Sequence, residues 1–269
     1  MDKKEIKASL KEEKKRLKSD YKKEKKSRRK EYKSSIAAAE DSYLSAMADC
    51  AAERGKRVPI NPPKRAVLEE IGNSVSHGLG SLFSIFAFIL MLLHYDVIRE
   101  LLGAVVYFAG LFLMFTMSCL YHAFSHGSAV KRLFRRFDYA SIYLLIGATF
   151  APVLLSYVGG VFGLVFFIIQ WCVIVTGITL VGVFGPARLK FIHMPLYILL
   201  GWCALMFLPR MLGDNVWFAF YILLGGIIYS LGIIPFAMKN KVAHFIWHFF
   251  VLAGAVVQWV GVYTFIYLR

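Results

Sequence analysis

The sequence predicts an all-α membrane protein of seven transmembrane helices, N-terminus inside and C-terminus outside, preceded by a basic extension that is helical or disordered. Three observations carry this reading. Of 269 residues, 58% are hydrophobic and 16% aromatic, yet Lys and Arg number 32 against 17 Asp and Glu, a composition foreign to soluble domains. The charge is segregated, with 21 basic and 11 acidic residues falling in positions 1–65. Beyond Glu70 the chain runs uncharged through 71–95, 101–130, 139–187, 191–209, 215–238 and 242–268, and roughly 20 apolar residues cross a hydrocarbon core of about 30 Å.

The elements follow in order. Residues 1–57 form the extension, rich in Lys, Glu, Ala and Ser, which favours helix. No sustained apolar stripe is evident there, and its expected partner is anionic lipid headgroups, each lysine contributing on the order of 1 kcal/mol. Its first 30 residues hold no apolar run, so no secretory signal is expected. Residues 58–65, with Pro59, Pro62 and Pro63, form a linker that breaks helix because proline lacks the amide donor. Residues 66–269 form the membrane domain. Its third uncharged stretch, 49 residues long, holds two crossings around Tyr157-Val158-Gly159-Gly160.

Loop charges set the orientation. The basic extension, the loop with Lys131, Arg132, Arg135 and Arg136, that with Arg188 and Lys190, and that with Lys239 and Lys241 fall on one side. The Asp96–Glu100, Gly159 and Arg210–Asp214 turns fall on the other. Continuous apolar runs exclude a β-barrel, whose segments alternate over about ten residues, and nucleic acid is not an expected partner. Cys50, Cys119, Cys172 and Cys203 show no paired spacing and are read as reduced thiols.

With the helices threaded this way, six of seven histidines fall near the cytoplasmic ends: His77, His122, His126, His193, His244 and His248. Glu70, Asn73, Ser118 and Asp138 share that layer. Ionisable groups in a membrane span are costly and normally face the interior and serve a site. His244 and His248 are four apart, which places both imidazoles on one helix face. His122, on the same face as Ser118, supplies a third nitrogen at that depth. His126, beside Gly127, is read as interfacial. Three protein ligands plus water is the arrangement of catalytic zinc, although imidazole suits several divalent metals. Asp138 would orient the water or accept its proton.

The motifs Glu70-Ile-Gly-Asn73-Ser-Val-Ser76-His77, Ser118-x-x-x-His122, Asp138-Tyr139-x-x-Ile142-Tyr143 with Thr149-x-x-Pro152, and His244-x-x-x-His248 resemble those of the hemolysin III family. This is the bacterial branch of the progestin and adiponectin receptor group, within a superfamily that includes alkaline ceramidases. The resemblance covers roughly residues 66–269. It implies seven helices and zinc held by His122, His244 and His248, with catalytic roles for Asp138 and Ser118. Glu70, Asn73, Ser76 and His77 would support the ligands or the helices. Tyr139 stands where the family often has histidine.

The function expected is that of a resident protein of the bacterial cytoplasmic membrane, a zinc-dependent hydrolase acting on lipid amide or ester bonds or influencing membrane homeostasis. One alternative is a non-enzymatic, receptor-like protein with structural zinc. Another is a cytolytic pore, which seven apolar spans argue against, since a self-inserting toxin must first be soluble. A nucleophilic triad of Ser118, His122 and Asp138 lacks the strained elbow such a serine occupies.

Overall fold

The computed structural model describes residues 3–53, 62–238, 240 and 242–268. Residues 54–57 of the extension, residues 58–61 of the linker, and Lys239 and Lys241 of the loop-charge pattern lie outside them. The chain divides into two compact units, Met1–Pro59 and Ile60–Arg269. The first contains one helix, α1, Lys3–Glu53.

The second unit is all helical among the described residues: α2 (Val67–Leu93), α3 (Ile98–Ala123), α4 (Ala129–Pro152), α5 (Gly160–Phe184), α6 (Lys190–Trp202), α7 (Leu208–Asp214), α8 (Val216–Ala237) and α9 (Ala243–Val262). Helix α4 runs on as a wider π turn over Val153–Val158, and α9 does so over Tyr263–Tyr267. Six of these helices are long and apolar enough to cross a membrane, and their surfaces show why they need one. Leu82, Phe86, Phe162, Ile169 and Trp217 are each more than half exposed, a belt that water would penalise and hydrocarbon matches.

The fifth crossing departs from the single span expected over 191–209. Helices α6 and α7 meet at a 42° bend, across a 3-10 turn at Cys203–Met206. Pro209 in the first turn of α7 has no amide to extend the preceding helix, and the chain tightens and turns there. Counting this bent pair as one span gives seven. The turn expected at Tyr157–Gly160 is present, with Gly159 at φ 59° and Gly160 at φ 63°, a left-handed pair that only glycine adopts readily. Pro152 begins the π turn before it, because the carbonyl four residues earlier loses its donor.

The bundle closes as a ring in which α3 packs on both α2 and α4, α8 packs on α9, and α9 returns to α2. Small residues permit these approaches. A Cβ at Gly110 on α3 would meet the Ala148 side chain and the Leu144 carbonyl of α4, and one at Gly225 on α8 would meet Gln258 of α9. Polar zippers add to this, with the Ser74 hydroxyl donating to the Cys119 carbonyl at 3.0 Å and Ser81 bonding Thr116 at 3.0 Å. These contacts set α2 against α3 in the register that brings Glu70 and Asn73 opposite His122.

Replacing Gly110 by Ala is expected to cost about 1–3 kcal/mol, the usual penalty for overpacking a filled interface. Gly182→Ala, which faces open space, serves as its control. Thermal unfolding of the detergent-purified variants checks this; equal midpoints would show that α3 and α4 do not need the close approach.

Candidate metal centre

The polar residues gathered by the sequence converge at one end of the ring, where α3 ends and α2 and α9 begin. His122 occupies the last turn of α3, and His244 and His248 share one face of the first turns of α9. Just before that last helix, the Asn240 side chain accepts the Val242 amide at 3.2 Å. Two of the three rings are oriented from behind. The His122 Nδ1–H donates to Glu70 Oε2 at 2.5 Å, and the His248 Nδ1–H donates to the Asn73 carbonyl at 3.1 Å. The Ser76 hydroxyl lies 3.3 Å from the same His248 nitrogen. Each bond places the ring's remaining lone pair on Nε2, as partners behind metal-ligating histidines do.

The three Nε2 atoms then meet, with His244 lying 3.3 Å from His122 and 3.3 Å from His248. Zinc binds imidazole nitrogen at about 2.0–2.1 Å in tetrahedral sites, which separates two ligands by about 3.3–3.4 Å. Among the described residues, His122, His244 and His248 form the one group of three or more His, Cys, Asp or Glu side chains able to hold a metal ion. The spacing fits a tetrahedral metal.

Lys131 was hidden among the basic residues of its loop. Its side chain is fully buried in the first turn of α4, where Nζ donates to the Tyr121 and Phe124 carbonyls at 3.0 and 2.9 Å and pairs with Glu70 Oε1 at 3.0 Å. One ammonium thus caps the α3 terminus that carries His122, where the helix dipole favours a cation. It also balances the carboxylate that orients that histidine. Ser128 starts α4 by accepting the Lys131 amide at 3.1 Å, so the same short loop both turns the chain and delivers the lysine. A basic residue just after a capping serine is the only sequence signal for it.

Asp138 and Ser118 line a cavity of about 140 Å³ together with His77, His244 and His248. The remaining wall is mostly apolar, supplied by α4, α6, α8 and α9 through residues such as Ile142, Ile146, Ile233 and Trp247. His77 is stacked on His248, with ring centroids 3.7 Å apart, and meets the edge of Phe115. Neither of its ring nitrogens has a hydrogen-bond partner among the described residues, so it positions its neighbour by ring packing.

The other histidines stand apart. His126 bonds the Pro62 carbonyl at 3.2 Å. His193 bonds the Tyr143 hydroxyl at 2.9 Å, and His94 contacts the Leu90 carbonyl and the Tyr263 hydroxyl at the far end of the bundle.

A family model described as Haemolysin-III related matches residues 65–259. The chain is 34% identical over 194 residues to "Hemolysin-3" of Bacillus cereus, covering 70% of this chain and 88% of that protein. It is 29% identical to the "Hemolysin-3 homolog" of Bacillus subtilis (strain 168), covering 70% and 90%. The human "Monocyte to macrophage differentiation factor" is 27% identical over 175 residues, covering 62% of this chain and 72% of that protein. Residues 1–64 lie outside the family match.

Breaking the buried pair from one side is expected to cost about 3–5 kcal/mol, because the remaining charge loses its counter-ion. Lys131→Met should therefore lower the unfolding midpoint sharply, while Lys131→Met combined with Glu70→Gln should recover part of the loss. Additive losses in this double-mutant cycle would show that the two side chains do not act as a pair.

Proposed function

The chain belongs to the haemolysin-III related family, and from that premise we propose that it is a resident membrane enzyme. In this reading, His122, His244 and His248 hold zinc and the adjoining cavity admits a lipid amide or ester for hydrolysis. The observation that carries the proposal is the opening of His244 and His248, two of the three grouped histidines, onto a chamber that has polar groups at the histidine end and apolar walls beyond. Structural zinc is usually closed by four protein ligands, whereas a catalytic ion keeps a position free. Bound there, zinc would supply Lewis acidity toward a carbonyl and would lower the pKa of water.

The chain's own residues have separable roles. Glu70, Asn73 and Ser76 fix the tautomers and planes of His122 and His248, so that their Nε2 lone pairs stay directed inward. Asp138 orients the attacking water and accepts its proton, and Ser118 lines the same polar end of the cavity. Ile142, Ile146 and Trp247 bury the acyl chain, excluding water from the polar end. The positive loops support a cytoplasmic setting for this end, in a bacterial membrane.

A second reading has support in the same geometry. A metal on His122, His244 and His248 ties α3 to α9, and metal binding contributes directly to folding, which would suit a non-enzymatic, receptor-like protein.

The experiment combines metal analysis with turnover on N-acyl amide and ester lipids. Wild type is expected to carry one zinc per chain, and His244→Ala or His248→Ala well below one. Asp138→Asn is expected to retain zinc and lose about 10²–10⁴-fold in rate, the range for a general base. Full zinc retention in the histidine variants would overturn the site. Zinc without turnover on either lipid class would leave the structural reading.

A further inference from the structure

The unit outside the family match has an order of its own. From residue 3 the sequence repeats every 11 residues, as KKEIKASLKEE, KKRLKSDYKKE and KKSRRKEYKSS over residues 3–35, and Tyr43 keeps the phase. Helix α1 runs unbroken through all of this, from Lys3 to Glu53. Eleven residues fill three turns at about 3.67 residues per turn, so equivalent positions fall into line along the helix. Leu10, Tyr21, Tyr32 and Tyr43 form the centre of that line, Leu17 lies on one shoulder, and Ile36 and Met47 lie on the other. All seven are between 42% and 67% exposed. The apolar stripe that a 3.6-residue period does not reveal is therefore present at 3.67.

The line has flanks of opposite sign. Lys18 and Arg29 sit about 65° to one side of its centre, and Glu13 and Glu24 sit about 65° to the other, by the 11-residue geometry. Lys15, Lys23, Lys26 and Lys30 fall on the opposite face. The stripe itself spans only about 65°, the width of a coiled-coil seam and narrower than the apolar face of a helix packed on a core. Its polar interruptions are Lys14, Lys25 and Arg28, and Arg28 is already paired with Glu24 of its own helix at 2.7 Å.

We infer that α1 is a self-association element: two copies in one membrane pair their extensions as a parallel, in-register coiled coil along Leu10, Tyr21, Tyr32 and Tyr43. A two-fold axis parallel to the helices sets the basic flank of one against the acidic flank of the other, where opposite charges select partner and orientation. An antiparallel pair would set like charges together. Copies inserted in the same orientation send their extensions out on the same side, so the parallel arrangement is also the one that the membrane offers. A helix lying on anionic lipid is best served by basic residues on its polar side, and here one flank is acidic. The excess lysines project away from the seam, where they are separated and screened. The 11-residue period gives the pair a right-handed supercoil.

The test is oxidative cross-linking of the full-length protein in membranes at low protein-to-lipid ratio, in a background with the four native cysteines replaced by alanine. Tyr21→Cys, Tyr32→Cys and Tyr43→Cys are expected to form disulfide-linked dimers several-fold more than Lys26→Cys and Lys30→Cys on the outer face. Equal yields at both faces, or none at the seam, would overturn the inference. As an independent check, Glu13→Lys with Glu24→Lys should lower the dimer yield at Tyr32→Cys, and adding Lys18→Glu with Arg29→Glu should restore it. If the first pair of substitutions leaves the yield unchanged, the flanks do not pair two copies and self-association along this seam is wrong.

Discussion

The pairing of Glu70 with Lys131 joins three helices at the point where the histidines meet. The carboxylate belongs to α2, the ammonium to α4, and their shared beneficiary, His122, to α3. Each polar group removed from water must find its partner within the protein, and this network meets that demand with few atoms. One oxygen of Glu70 takes the lysine and the other takes the imidazole. The lysine's remaining donors close the carbonyls at the end of α3. The inward direction of the His122 lone pair is thus a by-product of satisfying a buried charge pair.

The opposite side of the triad is built differently. His248 is held by a backbone carbonyl of α2 and by the stacked ring of His77, without any charged partner. One of the candidate ligands therefore has an anionic partner behind it and another a neutral one. The cavity is lined by His244 and His248, and neither His122 nor Glu70 is part of its wall.

Much of this was legible from residue spacing. Uncharged runs marked the spans, and i, i+4 spacing joined His244 to His248. Depth within the span brought in His122, Ser118 and Asp138. What escaped notice had physical reasons. Lys131 resembled Arg132, Arg135 and Arg136, because a topology rule counts charges without asking which one folds inward. The break between α6 and α7 hid within an apolar run whose composition is that of a straight span, and only Pro209 hints at it. His193 shared the ligands' depth but faces Tyr143, a distinction of helix rotation that a single sequence does not carry. The line on α1 was blurred because a 3.6-residue window drifts by about 70° over its length relative to an 11-residue repeat.

The bond between His248 and the Asn73 carbonyl joins residues separated by 175 positions in the chain. During synthesis, Glu70 and Asn73 are made long before His248, and until α9 is added His122 is the one member of the histidine group present in the chain. A chain that stops short of α9 lacks His244 and His248, two of the three side chains that could hold a metal ion, so the group is complete only when the last helix docks against α2.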